Sequence, residues 1–252
     1  MSRSPSRPTA ADKPKRPHSR TLAVGDVHGC LTPLVALAEA VPLRPSDTVV
    51  MLGDYSSRGP DSRGVHEWLC DRREVQRAGG GELITLRGNH EVMLLQSLKD
   101  PLAFRSWPSV RGRETLASYG RDDTDLREPD WLPDRHRRLL EDDLRPYFET
   151  DTHLFVHASL HPDAPPAETT DLELYWEQFN PDWGPHMSLK PVICGHTRQK
   201  TGCPFVCDWG VCIDTGCHAG GWLTCLEAAT GRGWQANESG RVKTLDLGPL
   251  IR

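Results

Sequence analysis

No stretch of this chain approaches the ~20 consecutive apolar residues that cross a bilayer, so no integral membrane protein and no membrane partner are expected. The N-terminus lacks the apolar core of a secretory signal. A reduced, cytoplasmic protein is therefore expected despite eight cysteines. Several of these (Cys70, Cys194, Cys212, Cys225) lie in or beside apolar runs, where free cysteine behaves as a small hydrophobe. Cys203, Cys207, Cys212 and Cys217 are clustered, but their spacing matches no zinc ribbon or finger. Positive charge is scarce outside the first twenty residues. Residues 1–20 hold six Lys/Arg against one acid, Asp12, which leaves 24 basic and 34 acidic residues to the body, a balance of −10. Such a body lacks the basic face by which general nucleic-acid binders release counterions, so no nucleic-acid partner is expected. It would also repel anionic substrates unless a local charge, such as a metal ion, reverses the field.

What is present is globular: 252 residues, 37% hydrophobic and 26% charged. That length buries a sizeable core. Residues 1–19, rich in Ser, Arg, Lys and Pro, read as a disordered basic tail. From Arg20 short apolar runs appear, each followed at once by Gly, Asp, Asn or His. Thr21–Val24, Thr48–Leu52, Leu83–Leu86, Leu154–Val156 and Val192–Cys194 read as buried strands. Leu31–Ala40, Ser62–Arg73 and Glu91–Leu98 read as helices between the early ones, which predicts β-α-β units and a parallel sheet. The last fifty residues read as short strands with glycine turns. The Arg-rich stretch around 105–144, with a helix over Asp134–Asp143, reads as a solvated helical insertion. One α/β domain over 20–248 is the economical reading.

In open α/β sheets, chemistry gathers on loops beyond the carboxyl ends of strands. Here five strand ends supply Asp26 and His28, Asp54, Asn89, His157 and His196. Two carboxylates, one amide oxygen and three imidazoles suit divalent Mn, Fe or Zn. Two ions need a shared ligand, and Asp54 can bridge with its two oxygens. Asp26 and His28 would complete one position, and Asn89, His157 and His196 the other. Such a centre generates hydroxide at neutral pH and clamps an in-line phosphoryl displacement. Arg58, four residues after Asp54, is placed to hold phosphate with Asn89 and His90. His90 is placed to protonate the leaving oxygen. His218, in the glycine-rich turn after Asp214, reads as a turn residue.

The blocks GDVHG (25–29), GDYSSRG (53–59), GNHE (88–91), FVHA (155–158) and GHT (195–197), in that order, resemble the calcineurin-like metallophosphoesterase superfamily. TLASYG (115–120) and DTGCHAGGWLT (214–224) narrow the resemblance to the bacterial phosphoprotein-phosphatase branch. It extends over about residues 20–240. The resemblance implies a four-layer αββα sandwich and two divalent ions, with manganese favoured. It also implies attack by hydroxide activated at that centre, without a phosphoenzyme. Two departures stand out. Ser57 occupies the place of an aspartate that orients the neighbouring histidine, and a serine supplies no charge to raise the pKa of His90. A second phosphate-gripping arginine is also missing, since no Arg lies between Ala158 and Val192; Gln178 stands about where it belongs, and Lys190 or Arg198 is a candidate substitute.

Three functions follow, in order of expectation. The first is hydrolysis of phosphoric monoesters, of the serine/threonine protein phosphatase kind, on a phosphoprotein or small phosphorylated substrate. The second is a symmetrical diadenosine-tetraphosphate hydrolase, a branch that shares GDVHGC and DTGC and tolerates a small residue at Ser57. The third is a phosphoprotein-binding pseudophosphatase with weak catalysis.

Overall fold

The computed structural model describes residues 20–121 and 131–250. The basic tail at 1–19 lies outside the described residues. In chain order the strands are β1 (Thr21–Val24), β2 (Thr48–Met51), β3 (Glu82–Leu86), β4 (Leu144–Arg145), β5 (Tyr147–Glu149), β6 (Leu154–Val156), β7 (Val192–Cys194), β8 (Phe205–Cys207), β9 (Gly210–Cys212), β10 (Leu223–Glu227), β11 (Arg232–Ala236) and β12 (Val242–Asp246). The helices are α1 (Leu31–Ala40), α2 (Ser62–Gly79), α3 (Asn89–Lys99), α4 (Pro101–Ser106), α5 (Arg113–Ser118), α6 (Asp134–Asp142) and α7 (Asp171–Tyr175).

Seven strands form one sheet in the order β12-β11-β10-β1-β2-β3-β4, and five form a second in the order β5-β6-β7-β9-β8. β1, β2, β3 and β4 run parallel, as do β6, β7 and β9. Strand alternation explains how the layers stack. Ala23, Val50, Leu52, Ile84 and Leu86 face Phe155, Ile193, Val211 and Ile213 in a core between the sheets. Their neighbours Leu22, Val24, Val49, Met51 and Leu83 face the helical layer. Being buried on both faces, these strands read as continuous apolar runs.

The outer faces are covered unequally. α1, α2 and α3 pack on the larger sheet. Among the described residues, the smaller sheet has only the short α7 and a long loop, with Leu174, Tyr175, Phe179 and Trp209 closing its face. Residues 158–191 contain six prolines, which interrupt helices, so the fourth layer is mostly irregular.

Other differences from the sequence reading have local causes. α2 runs past Arg73 to Gly79 because Gln76 is anchored inward, donating to the carbonyls of Arg44 and Asp47. It stops at Gly80, whose φ of 79° terminates the helix. The described parts of the Arg-rich stretch, 105–121 and 131–144, carry Trp107, Leu116, Trp131, Leu132, Leu139 and Leu140 into the main core, so they are not a purely solvated insertion. β4 and β5 went unread because they are two and three residues long; Pro146 stands between them where the chain passes from one sheet to the other.

Candidate metal centre

All of the strand ends named from sequence open at one end of the sheets. Asp54 Oδ2 lies 3.4 Å from His28 Nε2, and Oδ1 lies 3.5 Å from His157 Nε2. Asn89 Oδ1 is 3.1 Å from His157 Nε2 and 3.2 Å from His196 Nδ1. The carboxylate of Asp26 accepts from the His196 amide at 3.0 and 3.1 Å. His28, Asp54, Ser57, Arg58 and His196 all have positive φ, between 48° and 73°. Non-glycine residues pay for such conformations, and strain of this kind concentrates at functional sites. Close backbone approach is also needed: a Cβ on Gly88 would come within 2.2 Å of Asp54 Oδ1, and one on Gly195 within 2.1 Å of Asp26 Oδ1.

Each imidazole is tethered through the nitrogen pointing away from the centre. His28 Nδ1 donates to the Ser56 carbonyl (3.1 Å), His157 Nδ1 to that of Leu52 (2.9 Å) and His196 Nε2 to that of Trp176 (3.1 Å). A carbonyl only accepts, so the three remaining ring nitrogens are lone pairs aimed inward. Asn89 Oδ1 joins them, an acceptor among acceptors; only with the amide turned over would its nitrogen donate to His157, His196 and Asp54. A cation reconciles these acceptors as they stand.

Charge leads to the same place. Burial, then Asp214 and Asp54, pushes the Asp26 carboxyl well above the usual range. Burial pushes Asp54 up to about 7, opposed by the His90 amide and by Arg58. Buried carboxylates around neutral imidazoles fit a divalent cation, which returns them to the charged form. The donor atoms form two groups, His28–Asp54–His90 and Asp54–His157–His196, with Asp54 common to both as a bridge requires. Asp26 stands outside both groups, and His90 stands inside the first.

Three backbone amides hold the Asp54 loop. Glu91 accepts from the N–H groups of Asp54, Tyr55 and Ser56 at 2.8, 2.9 and 3.1 Å, and from Gly88 at 3.2 Å. This explains why α3 begins at Asn89, two residues before its expected start. A second support is a buried chain of hydrogen bonds. Ser56 Oγ meets His66 Nε2 (3.0 Å), His66 Nδ1 meets Tyr119 Oη (2.7 Å), that hydroxyl meets His136 Nδ1 (2.7 Å), and His136 Nε2 meets Glu67 (2.7 Å). Burial and His136 push His66 down to about 3, so it is a neutral ring in this chain. Because the Ser56 carbonyl orients His28, TLASYG acts on the centre through Tyr119. Tyr119→Phe leaves two buried ring nitrogens short of a partner and is expected to cost about 1–3 kcal/mol, read by urea denaturation. An unchanged midpoint would show that the chain of bonds carries no stability.

Arg58 donates from Nη1 to His218 Nε2 (3.0 Å) and from Nη2 to His90 Nε2 (3.1 Å). His218 is thus more than a turn residue: its ring also meets that of His28 edge-on at 4.6 Å. Burial, then Arg58, pushes His90 down to about 2. Its Nδ1 is buried without a partner among the described residues, and so is Ser57 Oγ. Asp54 Oδ2 lies 4.0 Å from His90 Nε2, and Ser57 supplies no further charge to keep the ring protonated. Ser57→Asp is therefore expected to speed hydrolysis of esters with poor leaving groups by about tenfold or more and to move the basic limb of the pH profile upward. An unchanged profile would mean that His90 is oriented by another group.

Of the two proposed substitutes for the missing arginine, Lys190 pairs with Glu149 (2.6 Å), away from the centre. Arg198 lines a cavity of about 490 Å³ together with Arg58, Arg111 and His218. Sequence reading missed Arg111 altogether.

The chain matches the calcineurin-like phosphoesterase family over residues 19–199, and it belongs to that family. Among curated relatives it is 32% identical to a symmetrical bis(5'-nucleosyl)-tetraphosphatase of Janthinobacterium sp. (strain Marseille), over 65% of this chain and 53% of that protein. It is 35% identical to the protein of the same description from Thioalkalivibrio sulfidiphilus, over 56% of this chain and 45% of that one. The chain thus spans about half the length of the curated relatives it matches. A protein serine/threonine phosphatase from Saccharomyces cerevisiae superposes with a TM-score of 0.60 at 14% identity, covering 95% of this chain and 85% of that one, which shows a shared fold.

Proposed function

We propose that this chain hydrolyses dinucleoside polyphosphates, cutting a diadenosine tetraphosphate into two ADP. The observation that carries this reading is the cavity ringed by Arg58, Arg111 and Arg198 beside the convergent donors. One planar guanidinium grips one phosphoryl group, and three exceed what a monoester needs. The named activity of the curated relatives agrees with it. The state of His90 agrees as well. A serine alkoxide must be protonated as it leaves, whereas a nucleoside diphosphate leaves as a stable anion. Ser57 in place of a charged partner costs little in the second reaction.

His28, Asp54, Asn89, His157 and His196 would hold two divalent ions, with Asp26 beside them. When bound, the ions activate a water nucleophile and neutralise the oxygens of the group attacked. The chain's own residues do the rest. Arg58, fixed between His90 and His218, presents its fork to the scissile phosphoryl group. Arg111 and Arg198 hold the flanking phosphates and reverse the field of an acidic body. Glu91 keeps the Asp54 loop from relaxing when the cation charge arrives.

Phosphomonoester hydrolysis, first in order from the motifs, becomes the second reading. GNHE at 88–91 and the single fork of Arg58 favour it. The binding-only reading rests on Ser57 and the missing arginine alone, and both have another explanation above. The test compares kcat/KM on diadenosine tetraphosphate, para-nitrophenyl phosphate and a phosphoserine peptide, with manganese present. The dinucleotide is expected to be preferred; faster release of phosphate from the peptide would restore the first order.

A further inference from the structure

The three-arginine cavity does not end at Arg198. A second groove of about 420 Å³ continues from it, sharing Arg198 and Ala219 as lining residues. Lys200 adds a further cation, and no acidic residue among the described residues lines the groove. That is notable in a body of net charge −10. One wall is the turn from Gly216 to Trp222, where Gly216 and Gly220 have φ of 73° and 79°. A Cβ on Gly220 would meet nothing within 4 Å, so this wall faces open space. Trp222 is partly exposed at its end. Its amide donates to the Thr215 carbonyl (3.1 Å), and Lys243 Nζ stands over one face, 4.1 Å from the ring centroid, which leaves the opposite face for a base.

Cations without acids, a flat aromatic ring and a wall of glycines with one alanine match the chemistry of a nucleotide. Base stacking on an aromatic ring tolerates any base and gains from nearby cations. We propose that this groove holds one nucleotide half of the substrate, with the base against Trp222 and its phosphates between Lys200 and Arg198. The inference rests on the polyphosphate reading above and adds a recognition element to it. A phosphoserine or phosphothreonine residue brings no ring of its own to place there, whereas a dinucleoside polyphosphate threads its phosphates past the three arginines and still has a base to seat.

The test uses the whole chain with ADP and inorganic pyrophosphate as probes, titrated by calorimetry. Trp222→Leu is expected to weaken ADP binding by about tenfold, and to lower the ratio of ADP to pyrophosphate affinity by the same factor. Lys200→Ala, a change at an exposed side chain, guards against a folding defect in the first variant and is expected to weaken ADP binding as well, more so at low salt. The ratio of kcat/KM for diadenosine tetraphosphate to that for para-nitrophenyl phosphate is expected to fall in step. Cleavage of the dinucleotide by the parent chain with ADP affinity unchanged in both variants would overturn the groove alone. No cleavage of the dinucleotide by the parent chain would overturn the polyphosphate reading and the inference with it.

Discussion

Asp54→Asn is expected to lower turnover on the order of 10³-fold and to reduce bound manganese from two equivalents towards one or none. Asp54 is the single residue common to both donor groups, with Oδ2 turned to His28 and Oδ1 to His157. An amide of the same shape keeps an oxygen to accept the His90 N–H, which Asp54 Oδ1 accepts at 3.0 Å. It also puts an N–H group among lone pairs. That group pairs with an imidazole, and the pairing occupies the space of an ion. Stability should move the other way. Burial holds the Asp54 carboxyl up near 7, so in chelator the charged form is a burden that the amide removes. Melting in EDTA is expected at an equal or higher temperature than for the parent chain. Full activity or two retained equivalents of metal would sink the ligand assignment.

Arg58→Ala is expected to lower kcat/KM by about 10²–10³-fold, the loss of one preorganised cation at a phosphoryl group. The guanidinium is held by two rings at 3.0 and 3.1 Å, so it is oriented before substrate arrives. Arg58→Lys should recover little, because a point charge cannot reach His90 and His218 at once. The variant has a second signature. Arg58 is the largest contribution after burial to the lowering of both His90 and His218. Without it both rings rise, while burial still holds them below ordinary histidine values. With His90 as the general acid, the basic limb of the rate profile should therefore move to higher pH. An unmoved limb with normal kcat/KM would place the phosphate grip on Arg111 or Arg198.

The candidate centre was legible in the sequence because each proposed ligand lies just after a short apolar run. Asp26, Asp54, Asn89, His157 and His196 are within a few residues of a strand's carboxyl end, and parallel strands bring those ends together. Arg111 was not legible for the opposite reason. It lies in a charged stretch with no strand beside it, and reaches the centre through a tertiary contact, its carbonyl accepting from the Arg58 amide at 3.4 Å. The chain from Ser56 to Glu67 was hidden likewise, since its members are drawn from four separate segments. Its one local signal is the polar face of α2, where His66 and Glu67 follow an apolar Val65. His218 looked like a turn residue because a glycine-rich turn carries no periodicity to show which way a side chain points. The α/β class followed from strands alternating with helices and the αββα sandwich from the family resemblance, while the thin fourth layer went unread although six prolines between 158 and 191 cause it.

The most direct test of the central claim is the product of a single substrate. Diadenosine tetraphosphate incubated with the manganese-loaded chain is expected to yield ADP alone, resolved by anion-exchange chromatography, with no ATP, AMP or free phosphate at early times. Appearance of ATP with AMP, or release of phosphate from monoesters while the dinucleotide stays intact, would contradict the account.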